Sequence, residues 1–204
     1  MYIPKNYLQT DRKAIIQFMQ KYSFATVISA DGNMPVATHL PVLVYEENEE
    51  VILVSHLAKA NPHGDAILNK PVLTIFSQPH AYISPKFYEK EQNVPTWNYI
   101  AVHAYGNAML ITDDAGKLKL LEETIINYEE AYLKQWNNLS MDYKLKMLNG
   151  ITAFKINVTE LQAKNKLSQN KTVTERLNII NSLSKSDDSN ENEIGKYMKG
   201  LNIT

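Results

Sequence analysis

The sequence predicts a mainly β protein with flanking helices, built as a small antiparallel barrel, and three features of the chain support this fold class. Short segments rich in β-branched and aromatic residues recur through the first 160 residues and are separated by turn signals. One turn is the Asp31-Gly32 pair, which favours a tight hairpin because glycine tolerates a positive φ. A longer segment, residues 97–110, alternates between small aliphatic side chains and aromatic or polar ones, as a strand between two environments does.

The first third of the chain predicts one helix followed by a meander of strands. Thr10 or Asp11 can cap a helix that ends near Tyr22, since its apolar residues recur at helical spacing. Strands are predicted over residues 24–29, 36–44 and 51–55. Pro41 cannot donate a ladder hydrogen bond, so the second strand is expected at an edge of the sheet or bulged. After these strands, residues 57–69 are predicted to form a turn or a broken helix, because Pro62 and Gly64 interrupt the helical run that begins at Leu57.

The remaining elements alternate between strands and helices. A strand over 72–76 precedes a proline-containing loop over 77–96 and the long strand 97–110. Helices are predicted from Asp113 or Asp114 to Tyr132 and after Ser140, and a closing strand over 151–158. Beyond residue 160 the chain becomes polar: Thr172 or Thr174 can cap another helix, residues 184–193 are typical of a mobile linker, and a last short helix follows. We therefore expect one domain over residues 1–160 and a C-terminal segment over residues 161–204.

The two faces of the strand 97–110 differ in character. Its even-numbered positions carry small or aliphatic residues that suit a tight core, apart from Asn98. Its odd-numbered positions carry Trp97, Tyr99, His103 and Tyr105, whose rings are poorly suited to open solvent although their polar atoms need hydrogen bonds. Such a face meets a ligand or a second protein chain, unless the chain's own helices cover it.

Composition and charge exclude several classes of protein. The 204 residues are 44% hydrophobic and 21% charged, which is ordinary for a globular domain. The net charge of −1 argues against a strong nonspecific nucleic-acid binder. With no cysteine, the chain has neither disulfides nor thiolate metal ligands. It also lacks a signal peptide and any apolar run of membrane-spanning length, so we expect a cytoplasmic protein that does not insert into membranes.

Few residues predict chemistry by their spacing. The five histidines, His39, His56, His63, His80 and His103, do not have the spacing of a metal site, and His56 and His63 do not form a recognisable pair, so no metal is expected. Neither a GxSxG elbow, a GxGxxG loop nor a Walker loop is present, which argues against a serine hydrolase and against a Rossmann or P-loop nucleotide site. No catalytic residue can be assigned.

Five segments, taken in order, carry a family resemblance. They are ATHLP at 37–41, SHLAKANP at 55–62, PHAYISPKFY at 79–88, VPTWNYIAVHAYG at 94–106 and KLSQNK at 166–171. Together they resemble the PaiB family, FMN-binding negative transcriptional regulators with the FMN-binding split-barrel fold, over about residues 1–180. The chain departs from the family pattern at Ala163-Lys164-Asn165, where a glycine, a lysine and an aromatic residue are usual.

The resemblance implies a site for FMN between two copies of the chain. It implies that the strand around Thr38, His39 and Leu40 runs beside the isoalloxazine ring. Ser55, His56, Lys59 and Asn61 would lie at the phosphate, and the phosphate would find a cation and free backbone N–H groups if Lys59 stands near a helix start. Trp97 and Asn98 would approach from the partner subunit, and Lys166 and Gln169 would close the cleft.

Three functions remain open from the sequence. The first is the one implied by the family, an FMN-binding regulator of transcription, although no helix-turn-helix is recognisable to support DNA as a partner. The second is an FMN-dependent oxidoreductase of the pyridoxamine-phosphate oxidase or flavin reductase type. The third is a haem-binding split barrel, which the histidines permit without requiring.

Overall fold

Seven strands and seven α-helices make up the protein in the computed structural model, which describes residues 1–68 and 70–201, with Asp31 described by its backbone alone. The strands are β1 (Phe24–Asp31), β2 (Met34–Pro41), β3 (Leu43–Glu47), β4 (Glu50–Ala58), β5 (Pro71–Ile83), β6 (Thr96–Ile111) and β7 (Ile151–Lys166). The helices are α1 (Arg12–Lys21), α2 (His63–Ala66), α3 (Asp114–Glu129), α4 (Leu133–Asn138), α5 (Met141–Leu148), α6 (Val173–Leu183) and α7 (Ser189–Lys199).

All seven strands belong to one sheet in the order β2-β1-β5-β6-β7-β4-β3. The strands β1 and β2, β1 and β5, β3 and β4, and β4 and β7 pair in antiparallel fashion. The prediction of an antiparallel, mainly β fold with flanking helices is confirmed. In the described sheet β2 and β3 lie at the two ends of the strand order.

The chain divides into two compact units. Unit 1 comprises residues 1–15, residues 76–103 and the residues from 162 on. Unit 2 comprises residues 16–75 and 104–161.

The hairpin of β1 and β2 in unit 2 forms where the Asp31-Gly32 pair predicts it. Gly32 has a φ of +59°, a conformation that glycine adopts without the clash a Cβ would cause. The register pairs Asp31 with Met34 at the turn and Phe24 with Pro41 at the far end. The predicted strand 36–44 is two strands, because β2 ends at Pro41 and β3 begins at Leu43.

Two strands are longer than the sequence indicates. The predicted strand 72–76 extends to Ile83, so the first part of the predicted loop 77–96 is strand. Within it Ala81 and Ile83 are buried while His80 and Tyr82 are exposed, an alternation that continues past Pro79. The closing strand extends from the predicted Val158 to Lys166, through residues whose polarity favours a loop.

The two faces of β6 alternate in burial as predicted, except that Ala101 on the second face is buried and Leu110 on the predicted core face is exposed. Asn98, Ile100, Val102, Ala104, Gly106 and Ala108 are buried, whereas Trp97 and Met109 are exposed and His103 and Tyr105 are half-buried. In unit 2, Leu43, Leu120 and Ala153 form a buried apolar cluster against which Tyr45, Val54 and Ile111 pack.

The helices begin at the polar residues that the sequence marks as caps. Asp113 accepts a hydrogen bond from Gly116 N, Ser140 accepts one from Tyr143 N, and Thr172 forms a capping box with Glu175. The prediction that residues 184–193 are a mobile linker is wrong. The side chain of Asp188 caps α7 at its first turn, and Ile194 and Met198 of this helix are buried. In the described part of the chain no helix has both the length and the apolar character needed to cross a membrane.

Candidate functional site

A buried histidine connects three elements of unit 2. His63 is the first residue of α2 and its side chain is only 1% exposed. Its Nδ1 lies 2.7 Å from Thr38 Oγ1 on β2, and its Nε2 lies 3.0 Å from Ser29 Oγ on β1. The Asn61 side chain accepts a hydrogen bond from the His63 backbone N–H at 3.0 Å, which fixes the start of α2. His63 therefore holds α2 to both strands of the first hairpin.

The charge of His63 follows from its burial. Burial lowers its pKa from the ordinary value of 6.5, so the ring is neutral at neutral pH. A neutral imidazole donates from one nitrogen and accepts at the other, so one of the Ser29 and Thr38 hydroxyls accepts a hydrogen bond and the other donates. The Thr38 hydroxyl is also approached by Asn61 Nδ2 at 3.5 Å. The orientation of Thr38 is thus set by two side chains from the segment around α2.

The predicted ring-binding strand lies at one end of the sheet. Thr38 is half-buried, His39 is exposed and Leu40 is buried, which is the alternation expected of β2. The ring of His39 stacks on that of Phe24, with centroids 6.3 Å apart. Because β2 ends the strand order, its outer edge presents backbone N–H and C=O groups that a planar ligand with donors and acceptors can use.

The predicted phosphate-binding segment differs from the expectation in its local structure. Leu57 and Ala58 belong to β4 rather than to a helix, and α2 begins only at His63. Lys59 is exposed and lies in the turn before α2, with its backbone N–H donating to Gly150 O at 2.8 Å. The cation is available in this turn, but it does not stand at the first turn of a helix as predicted.

Ser55 and His56 have different surroundings, because adjacent residues of a strand face opposite sides. The buried Ser55 hydroxyl donates to Pro41 O at 2.7 Å and so connects β4 to the end of β2. His56 is half-buried beside β7, opposite Ala153 in the register, and burial lowers its pKa. At neutral pH His56 is therefore an uncharged donor or acceptor.

In unit 1 the predicted aromatic contact is accessible. Trp97 is 52% exposed, and its ring meets those of His80 and Tyr82 edge to face, with centroids 5.6 and 5.9 Å away. Tyr82 is itself 47% exposed. The three rings form an exposed aromatic patch, defined here as His80, Tyr82 and Trp97.

Asn98, the next residue, is fully buried. Its Nδ2 donates to Ser168 Oγ at 2.9 Å, and the Ser168 hydroxyl lies 3.1 Å from its Oδ1. Ser168 has a φ of +60°, which is uncommon for a residue other than glycine, and the pair of hydrogen bonds holds it there. The amide of Asn98 thus already has partners inside unit 1, in addition to Met198 Sδ at 3.5 Å.

Lys166 and Gln169 also have partners inside unit 1. Lys166 Nζ donates to the Thr96 hydroxyl and, at 2.8 Å, to Trp97 O. Burial, and then the charge of Lys164, lower the pKa of Lys166. The Gln169 side chain accepts from Leu167 N at 2.7 Å and donates to Asn165 O at 2.5 Å, which closes the loop after β7.

The structure therefore groups the predicted residues by unit. Thr38 and Asn61 are brought together in unit 2, where the sequence did not identify His63 and Ser29 as their partners. Trp97, Asn98, Lys166 and Gln169 belong to unit 1. The only sequence signal for His63 is its place two residues after Asn61, a spacing that lets the amide cap the turn.

Comparison with known proteins gives a family and a fold. Residues 1–160 match the family model described as "Putative FMN-binding domain". The chain is 38% identical to the "Protease synthase and sporulation protein PAI 2" of Bacillus subtilis over 206 residues, covering 98% of this chain and 97% of that one. It is also 32% identical to an uncharacterized protein of Saccharomyces cerevisiae over 109 residues, covering 50% of this chain and 64% of that one.

Two solved structures share the fold at low sequence identity. The FAD and haem binding protein of Mycobacterium smegmatis superimposes with a TM-score of 0.63 at 15% identity, covering 78% of this chain and 73% of that one. A flavocytochrome of Azotobacter vinelandii superimposes with a TM-score of 0.62 at 16% identity, covering 80% and 72%. These likenesses confirm the predicted split-barrel fold.

Proposed function

Because the chain belongs to the FMN-binding domain family, we propose that it is a flavoprotein that binds FMN at an interface between two copies of itself. Its 38% sequence identity to the Bacillus subtilis protein over nearly the whole length agrees with the resemblance to the PaiB family. The observation that carries the proposal is the arrangement of Thr38, Asn61 and His63. It places an oriented hydroxyl on an edge strand, next to a turn that carries an exposed lysine.

The residues of this arrangement fit the two ends of FMN. The outer edge of β2 at Thr38, His39 and Leu40 offers backbone donors and acceptors to the isoalloxazine ring. Lys59 offers a charge to the phosphate, and Asn61 offers an amide. Bound FMN supplies electron or hydride transfer, while the protein binds and orients it.

The remaining predicted contacts differ in what they can contribute. Trp97, on the exposed aromatic patch, is available to a second copy of the chain. His56 can contribute a neutral imidazole, and Ser55 can accept a hydrogen bond while it donates to Pro41 O. Asn98, Lys166 and Gln169 would line the proposed site without binding the flavin through their polar atoms, because those atoms already have hydrogen-bond partners in unit 1.

The first test is flavin binding by the purified protein. We expect FMN fluorescence to be quenched on titration with the protein, and the absorption spectrum to show two flavin bands. A Soret band with no flavin bands would favour the haem-binding alternative instead. Failure of the wild-type protein to bind FMN would contradict the proposed function.

The second test separates contact with the phosphate from general effects of substitution. Lys59→Ala removes a charge-assisted hydrogen bond and is expected to weaken FMN binding about 10- to 100-fold. Lys59→Glu should weaken it further, because a like charge then faces the phosphate. Riboflavin lacks the phosphate, so its affinity should change little in either variant.

The matched control is Lys13→Ala, which removes another exposed lysine, one on α1. It should leave FMN affinity within about twofold of wild type, since an exposed charge that is not part of the proposed site is screened by salt. Equal FMN affinity in wild type, Lys59→Ala and Lys59→Glu would exclude Lys59 from the site.

We further propose that the protein acts as a regulator of transcription, as the family resemblance implies. The alternative, an FMN-dependent oxidoreductase, would show rapid oxidation of NADH or NADPH with FMN bound. Turnover well above that of free FMN would favour that alternative.

A further inference from the structure

A small cavity lies in unit 1, between the segment before β6 and the loop after β7. Its volume is about 180 Å³. The residues that matter here are Tyr7, Tyr88, Thr96, Lys166, Ser168 and Lys171. All six carry a hydroxyl or an ammonium group, so the cavity suits a polar ligand of a few heavy atoms.

Two of these residues are lysines whose hydrogen-bond acceptors are uncharged. Lys171 Nζ donates to Asn93 Oδ1 at 3.0 Å and lies 3.6 Å from the centre of the Tyr88 ring. Lys166 Nζ donates to the Thr96 hydroxyl and to Trp97 O. Within the described residues neither ammonium group is paired with a carboxylate. A partly buried cation is stabilised by an anion at hydrogen-bond distance, so two such lysines attract a negative ligand.

The hydroxyl of Tyr88 supplies a further donor. It is buried and has no hydrogen-bond partner among the residues that the structure describes. Burial, together with the charge of Glu175 and with Tyr7, raises the pKa of Tyr88, so the phenol stays protonated and can donate. A buried hydroxyl without a partner is unfavourable, and a ligand that accepts its hydrogen bond removes that penalty.

The acidic side chain that acts on Tyr88 has other partners. The Glu175 carboxylate accepts hydrogen bonds from Glu89 N at 3.1 Å and from Thr172 N at 3.2 Å. These bonds hold it at the start of α6, as part of the capping box. It therefore does not neutralise Lys166 or Lys171 by direct contact.

We propose that this cavity binds a small oxyanion, either a phosphate group or the carboxylate groups of a small acid, held by Lys166, Lys171 and the Tyr88 hydroxyl. The cavity is too small for FMN itself, and the proposal concerns a ligand other than the flavin. It rests on Lys171 and Tyr88, which are not among the proposed flavin contacts, and on Lys166, which also belongs to the wall of the proposed FMN site.

Isothermal titration calorimetry of the full-length protein tests the proposal. Inorganic phosphate and malonate are titrated separately into protein without FMN and into protein saturated with FMN. We expect one of the two anions to bind with comparable affinity in both preparations, and to bind more weakly at high salt because the attraction is electrostatic. The anion that binds identifies which oxyanion chemistry the cavity takes.

Substitutions locate the binding in the cavity. Lys171→Gln removes the charge while keeping a long polar side chain, and it should weaken the anion about 10- to 100-fold. Tyr88→Phe keeps the ring against Lys171 and removes only the hydroxyl. It should weaken anion binding about 5- to 10-fold. The thermal stability of the unliganded protein should not fall, because the Tyr88 hydroxyl makes no hydrogen bond that the substitution would break. Lys90→Gln, in the same segment, is the matched control and should change nothing.

Three results would overturn the proposal. The first is no binding of either anion, and the second is equal binding in wild type, Lys171→Gln and Tyr88→Phe. The third is loss of anion binding when FMN is present, which would make the cavity the flavin phosphate site. If the protein binds no FMN, the anion titration still gives a result, so the failure of the two proposals can be distinguished.

Discussion

His63 is a single residue on which the first hairpin and α2 depend. Replacing it by alanine removes two hydrogen bonds and leaves the Ser29 and Thr38 hydroxyls in a partly dry space. We expect His63→Ala to lower the free energy of unfolding by about 2–4 kcal/mol, measured by urea denaturation. His39→Ala, on the exposed face of β2, should lower it by less than about 1 kcal/mol. Equal losses in the two variants would contradict the role given to His63.

The same residue predicts how stability changes with pH. The pKa of His63 is lower in the folded protein than its ordinary value of 6.5, so between the two values the unfolded chain binds more protons. The contribution of His63 is therefore complete above about pH 6.5 and is lost as the pH falls through the folded pKa. His56 and His103 are shifted in the same direction. Urea midpoints at pH 7.5, 6.5 and 5.5 should fall in that order.

His63→Ala provides the control for this pH dependence. Its urea midpoint should fall less steeply with decreasing pH than that of wild type, since one of the three shifted groups is gone. A slope as steep as that of wild type would assign the dependence to the other two histidines.

The sequence predicts which residues belong to the candidate site better than it predicts their hydrogen-bond partners. The resemblance leads to Thr38 and Asn61, which do lie together. It does not lead to His63, because its partners are 25 and 34 residues away and only the fold brings them to the ring. For the same reason the burial of Asn98 against Ser168, 70 residues later, could not be anticipated.

Among the elements, β6 and β7 approach each other closely at Gly106. A Cβ on Gly106 would stand 2.3 Å from Asn157 O and 2.7 Å from Ile156 Cγ2, and a backbone oxygen cannot move aside easily. Gly106→Ala should lower the free energy of unfolding by about 1–3 kcal/mol or more, measured by urea denaturation. Gly200→Ala is the matched control, because its Cβ would have ordinary contacts at 3.5 Å. If Gly106→Ala were as stable as wild type, the close packing of β6 against β7 at Gly106 would not contribute to stability, which would contradict the prediction.

Element boundaries were predicted well where local chemistry determines them and poorly where pairing does. Asp113, Ser140 and Thr172 each cap a helix as predicted, because capping involves residues three positions apart. The extensions of β5 past Pro79 and of β7 through residues 159–166 depend on neighbouring strands, which can override local propensity. The linker predicted over residues 184–193 was inferred from polar composition, yet two buried residues of α7 order this segment.

For the molecule as a whole, the exposed aromatic patch predicts self-association. Three rings clustered on the surface are better covered by a second chain than by water, so we expect a homodimer at micromolar concentration in sedimentation experiments. Trp97→Arg should raise the dimer dissociation constant about 10-fold or more, since large aromatic residues dominate such interfaces. Met141→Ala, at another exposed apolar residue, should not change it. A wild-type monomer under these conditions would contradict the prediction.

The net charge predicts how strongly the protein binds DNA and how that binding depends on salt. With a net charge of −1, any binding is expected to be weak and to fall steeply as salt rises from 50 to about 200 mM. Fluorescence anisotropy with a labelled duplex at two salt concentrations measures this. Tight, sequence-specific binding by the protein alone at physiological salt would contradict it and would support direct repression.

Three strands of the sheet contribute residues to both compact units. The chain passes from one unit to the other in the middle of β5, β6 and β7, at residues 75–76, 103–104 and 161–162. Domains that recombine as separate genes are usually joined by flexible linkers. Here the boundaries between the units fall inside strands instead. A gene fission at any of these points would divide a strand and leave both products with an incomplete sheet. The two units are therefore expected to have been inherited together through the family's history, diverging by substitution rather than by exchange of parts.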